Sequence, residues 1–305
     1  MGFWPGGDRD GNPFVTAEIT QQVAQELHLS ILKSYYAHLK KIRRRLSFRG
    51  VSEILDGLSD DLYDAIFKEE VDISSEEILM KVRRAEKILI EQHNGLFKNI
   101  LEDFKDRVKI FGTHFATLDI RQDSRVHQEI IDEIIAKKSG LNIETVSVQE
   151  QLDWLLNTDI ILNPNEFEGI TRDTLQNICN VKEIQQKNGE RGMHRYIISN
   201  SEAVKEVLNV FALFRLCGYQ EEEINIDIVP LFETMEGLDR AQEVMKQLYE
   251  LPVYKKHLER RKSAQTIMLG FSDGTKDGGY LKANWEIYET KEQLTKISDQ
   301  YGIKV

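Results

Sequence analysis

Four short apolar runs limit what this chain can fold into. They are Phe115–Ile120 (FATLDI), Tyr196–Ser199 (YIIS), Ile226–Phe232 (IDIVPLF) and Thr266–Phe271 (TIMLGF). Each is followed by polar residues and then by a helical pattern. Runs of this kind alternating with helices are expected to be buried parallel strands in β/α units. The last residues, Tyr301–Val305 (YGIKV), read as one more strand beginning.

The first half has a different character. Thr16 is placed to cap a helix running through Leu39, with Ile19, Val23, Leu27 and Ile31 on one stripe. Ser74 and Glu77 make a capping-box pattern before a second long helix reaching towards Phe104. Lys40, Lys41, Arg43, Arg44 and Arg45 fall near the end of the first helix. There they complement the helix dipole and form a solvated face. Lys182–Arg191 (KEIQQKNGER) reads as an exposed loop. Only five prolines occur, which favours a helix-rich fold. The expectation is one helix-rich α/β body, with added helices over about 16–110 and β/α units over about 111–305.

Charged residues stand at the ends of the apolar runs. Arg121 follows FATLDI, Glu233 follows IDIVPLF, and Asp273 follows TIMLGFS. In a β/α barrel the C-terminal ends of the strands converge on one mouth, where catalysis occurs. Two carboxylates there suit a hard cation such as Mg²⁺ or Mn²⁺, and an arginine suits a carboxylate or phosphate. The plainer alternative is that loops after strands are simply polar. Two Gly-rich segments add to the picture. Gly6–Pro13 (GGDRDGNP) sets Asp8, Arg9 and Asp10 between glycines, with Asn12 before Pro13. It is either a turn braced by internal ion pairs or a ligand contact. Asp273–Gly279 (DGTKDGG) has the same flavour, and its Lys276 is either a phosphate partner or a surface lysine beside Asp273 and Asp277.

Other classes are disfavoured. With 40 basic and 51 acidic side chains the net charge is −11, the wrong sign for a nucleic-acid or anionic-membrane binder. No apolar run approaches the roughly 18 residues of a membrane span, and the N-terminus lacks a signal-peptide pattern. Cys179 and Cys217 are far apart in sequence and read as reduced core residues of a cytoplasmic protein. No nucleophile-and-base constellation is visible, and neither His114 nor His127 is singled out as a base. No Walker-type loop or GxGxxG is present.

Four segments, in this order, resemble the phosphoenolpyruvate carboxylases: FWPGGDRDGNPFVT, TLDIRQDSRVH, PLFETMEGLDRA and MLGFSDGTKDGG. They are similar to that family's GGDRDGNP, LDIRQ, LFET and GYSDSxKD blocks. The last departs from the family pattern around Lys276 and Asp277. The resemblance implies a partial TIM-type β/α barrel with long additional helices. It implies a homo-oligomeric parent that joins bicarbonate to phosphoenolpyruvate, giving oxaloacetate and phosphate and feeding the tricarboxylic acid cycle. It also implies Glu233 and Asp273 as ligands of Mg²⁺ or Mn²⁺, and Arg121 and Lys276 on the substrate side. Arg9, Asp10 and Asn12 would support the loop. The family's catalytic histidine and its glycine- and arginine-rich loop have no counterpart in this sequence. The expectation is therefore an internal piece of such an enzyme, inactive alone. The alternative is a non-catalytic module binding a divalent metal or phosphoenolpyruvate, or serving as an interaction domain.

Overall fold

The computed structural model describes residues 2–68 and 71–305, without the side chains of Asp273 and Asp277. The elements run in order β1 (Gly2–Phe3), α1 (Ala17–Arg43), α2 (Val51–Phe67), α3 (Ser75–Gln92), α4 (Lys98–Phe111), β2 (Thr117–Leu118), β3 (Ile120–Asp123), α5 (Ser124–Lys138), α6 (Val148–Asn157) and α7 (Gly169–Asn188). They continue with β4 (Arg195–Ser199), α8 (Val204–Leu216), β5 (Asp227–Phe232), α9 (Met235–Glu250), α10 (Pro252–Arg260), β6 (Met268–Leu269), α11 (Ser272–Gly278) and α12 (Tyr280–Gln300). The chain divides into two compact units.

The helical unit takes Ile19–Leu118 and Val181–Met193, with the N-terminal residues through Phe3. Its core is built from apolar residues at helical spacing, such as Ile78, Val82, Ala85 and Leu89 on α3. They pack with Leu55, Leu58 and Leu62 of α2 and Leu101, Phe104 and Val108 of α4. Tyr35 lies edge-on to Phe104, with ring centroids 5.6 Å apart, and its hydroxyl donates to Gly112 O at 2.8 Å. The capping box is present: Ser74 Oγ accepts from Glu77 N at 3.2 Å, and Glu77 Oε2 accepts from Ser74 N at 2.9 Å. Lys40, Lys41 and Arg43 occupy the last turn of α1.

Several sequence expectations need correction here. The buried stripe of α1 runs through Ala24, Leu27, Ile31, Tyr35 and Leu39, while Ile19 is exposed. The helix begun at Ser75 stops at Gln92, because Asn94, Gly95 and Phe97 take left-handed φ. The segment 182–191 is no loop. α7 continues through Asn188, with Val181, Ile184 and Asn188 buried on one stripe, and a 3₁₀ turn follows at Glu190–Gly192.

The second unit takes Trp4–Glu18, Asp119–Asn180 and His194–Val305. Its sheet is parallel throughout, in the order β3-β4-β5-β6. The register pairs Ile120 with Tyr196, Tyr196 with Ile228, and Leu231 with Met268. α5 follows β3, α8 follows β4 and α9 follows β5, so the β/α alternation read from the sequence stands. Ile197, Val229 and Leu231 form one buried cluster, with Trp4 and Met268 packed against it. Among the described residues β3 and β6 are the ends of this sheet, and no closed barrel is formed. YGIKV contributes a single bridge, Lys304 to Ala264, instead of a strand. No helix among the described residues is long and apolar enough to cross a membrane.

Candidate active site

The FATLDI run breaks into two strands. Asp119 separates β2 from β3, and Arg121 lies inside β3, not beyond it. Asp119 is buried, accepts from Arg195 Nε at 2.8 Å and from Trp4 Nε1 at 3.3 Å, and burial holds its carboxyl above the usual range.

The GGDRDGNP segment runs alongside β3. Arg121 N donates to Gly7 O at 2.9 Å and Arg9 N donates to Arg121 O at 2.8 Å, so Asp8 bridges to Arg121 in parallel. The side chains then interlock. The Arg121 guanidinium pairs with Asp10 at 2.5 Å and Asp8 at 3.4 Å, and its Cζ lies 5.2 Å from the Trp4 ring centroid. Arg9 turns inward and is buried. Its Nε donates to Gln122 Oε1 at 3.1 Å, and its Nη2 donates to Asp173 Oδ2 at 2.5 Å and Thr174 Oγ1 at 3.3 Å. Asp173 also accepts from Ala17 N at 3.0 Å, which ties the start of α1 to α7. Asn12 is exposed, and its Oδ1 accepts from Phe14 N at 3.1 Å. The alternating charges thus act as a lattice that holds this loop, with Arg121 its most outward cation. Gln122, Asp173 and Thr174 carry much of that lattice. Nothing in the sequence singled them out, since Asp173 and Arg9 are 164 positions apart.

Glu233 follows β5 directly, as the apolar run implied. It is half-buried, and its Oε1 accepts from Asn200 N at 2.9 Å. Gly270 follows β6, and its N donates to Phe232 O at 2.8 Å. A Cβ on Gly270 would fall 2.4 Å from Glu233 Cβ and 3.0 Å from Glu233 Cα. One turn on, a Cβ on Gly274 would lie 3.6 Å from Glu233 O. The backbone that carries Asp273, between these glycines, therefore runs against Glu233. The Asp273 side chain lies outside the described residues. DGTKDGG is helical, forming α11, and Lys276 is exposed on it. Among the described residues no group of three or more His, Cys, Asp or Glu is gathered as a metal cluster.

His127 is fully buried on α5, with Nε2 2.9 Å from the Tyr196 hydroxyl. Burial lowers its pKa to about 3, and burial lowers that of His257 to about 4. Both rings are neutral core groups. The unfolded chain binds protons near pH 6.5 that these folded imidazoles refuse, so stability is lost as pH falls from about 6.5 towards 4. At pH 5 each ring is expected to cost about 2 kcal/mol relative to pH 7. Urea unfolding at the two pH values checks this, and His127→Gln should remove about half of the ring contribution.

The chain matches the family model described as phosphoenolpyruvate carboxylase over residues 1–72 and 63–305. It is similar to the phosphoenolpyruvate carboxylase of Nitrosomonas europaea, with 30% identity over 357 residues, covering 100% of this chain and 38% of that protein. It is also similar to those of Gloeobacter violaceus (28%, covering 100% of the chain and 39% of the relative) and Thermosynechococcus vestitus (29%, 100% and 36%). The chain thus spans well under half the length of these curated relatives. Because the family model matches this chain from its first residue to its last, the chain belongs to the phosphoenolpyruvate carboxylase family.

Proposed function

We propose that this chain supplies one wall of a site that carboxylates phosphoenolpyruvate with bicarbonate, releasing oxaloacetate and phosphate. The supporting observation is the approach of Gly270 to Glu233, within 2.4 Å of where a Cβ would stand. It brings the strand-end glutamate against the segment that carries Asp273. In this reading the sheet is part of a TIM-type β/α barrel in a cytoplasmic homo-oligomer, and its product feeds the tricarboxylic acid cycle.

Glu233 and Asp273 would hold Mg²⁺ or Mn²⁺. The donor chemistry fits, because two hard carboxylates leave the remaining positions to water and substrate oxygens. A divalent cation so held would supply Lewis-acid stabilisation of developing negative charge. The protein's own groups do the rest. Arg121 is held by Asp8 and Asp10, so its guanidinium can face an anionic substrate without reorganising. Lys276 gives a second cation for the phosphoryl group. Bicarbonate oxygen attacks phosphorus and the bond from phosphorus to the enol oxygen breaks; the C–O bond that joins the carboxyl carbon to the phosphate then breaks, phosphate leaves, and the enolate carbon bonds to the carboxyl carbon. Arg9, Asp10 and Asn12 keep the loop in place.

Calorimetric titration with phosphoenolpyruvate in the presence of Mn²⁺ tests this reading. We expect saturable binding, weakened about tenfold in Lys276→Met, the loss of one charge-assisted hydrogen bond, with Mn²⁺ affinity unchanged. No binding of phosphoenolpyruvate by the wild-type chain would rule the reading out. In an assay coupled to oxaloacetate reduction, the 305-residue chain alone should show negligible turnover. Robust turnover would show that no further wall is needed.

A further inference from the structure

The two cysteines, remote in sequence, meet in space. Cys179 lies on α7, and Cys217 caps the C-terminal end of α8. Cys217 Sγ lies 3.6 Å from Leu175 O. The Tyr219 hydroxyl donates to Ile178 O at 2.8 Å and lies 3.4 Å from Cys179 O. These contacts seat the end of α8, with the Cys217 thiol, on the turn of α7 that runs from Leu175 to Cys179. Both cysteines are free and only partly buried. The two cysteines of the sequence thus share one helix–helix contact.

We propose that Cys179 and Cys217 form a dithiol that low-molecular-weight disulfides oxidise to an intramolecular disulfide. Cys179 attacks first, because the hydrogen bond from the Cys217 thiol holds its pKa below the ordinary thiol value. The Cys179 thiolate attacks one sulfur of the small disulfide, and one small thiolate leaves and takes up a proton. Cys217 is held above the ordinary value by its hydrogen bond to Cys179 and by burial, so it acts second. It loses its proton and attacks the Cys179 sulfur of the mixed disulfide, expelling the second small thiolate. Two protein thiols are oxidised by two electrons in all, and the small disulfide is reduced to two thiols. The new bond ties the end of α8 to α7, the helix whose Asp173 and Thr174 hold Arg9.

The test is incubation of the native chain with oxidised glutathione, followed by intact mass, thiol titration and peptide mapping. We expect both thiols to disappear together, with a mass loss of two hydrogens and a Cys179–Cys217 cross-linked peptide, all reversed by a reductant. Cys217→Ser should instead accumulate a stable glutathione adduct on Cys179, and Cys179→Ser should react at least tenfold more slowly. Stable glutathione adducts on the wild-type chain, a disulfide between two chains, or two thiols that stay free would each overturn the proposal.

Discussion

Arg9→Ala is expected to lower the unfolding free energy by about 3 kcal/mol, the usual cost of removing one partner from a buried, hydrogen-bonded ion pair. The guanidinium is buried and bonds Gln122, Asp173 and Thr174. Its removal leaves the Asp173 carboxylate facing a cavity, with Ala17 N still donating to it. It also leaves the Gln122 amide oxygen without its donor. Gly6–Pro13 would then lose its inward anchor, although Asp8 and Asp10 still reach Arg121. The urea midpoint at pH 7 reads the effect. A loss under about 1 kcal/mol would mean that the backbone pairing of Gly7 and Arg9 with Arg121 holds the segment without the buried arginine.

The second large effect is expected at Gly270→Ala. The new methyl would stand 2.4 Å from Glu233 Cβ and 3.0 Å from its Cα. Neither neighbour is the loose end of a side chain, so backbone must move. Overpacking of this kind costs about 1–3 kcal/mol of stability. The functional effect is more specific, because the displaced group is the proposed metal carboxylate. Mn²⁺ affinity should fall by about tenfold or more, since small misplacements at a site are costly. Unfolding and Mn²⁺ titration on the same preparation separate the two effects. A variant that loses stability but keeps its Mn²⁺ affinity would show that Glu233 tolerates the shift.

Local signals in the sequence translated well. Ser74 and Glu77 cap α3 because their partners are three residues away, and the run ending at Phe232 places Glu233 at its strand end. Signals that depend on distant packing did not translate. The polar run 182–191 looked like a loop because only Ile184 is apolar within it. Yet that residue and the buried Asn188, whose side chain donates to Ala24 O at 2.8 Å, are enough to keep α7 helical. Arg121 was expected after its strand, but the buried Asp119, paired with Arg195, moves the break upstream. The lattice through Asp173 and the contact of Cys179 with Cys217 join residues that no short spacing links. Gly270 was legible as a glycine but not as the point where β6 meets Glu233, since that contact exists only once β5 and β6 pair.

The most direct measurement is Mn²⁺ binding, followed by electron paramagnetic resonance, in the wild-type chain and in Glu233→Gln. The substitution keeps the size of the side chain and an oxygen to accept from Asn200 N, so the local fold should persist. It removes one ligand charge, and saturable Mn²⁺ binding in the wild type should weaken at least about tenfold. Equal affinity in the two proteins, or no saturable binding in the wild type, would contradict the assignment of Glu233 as a metal carboxylate.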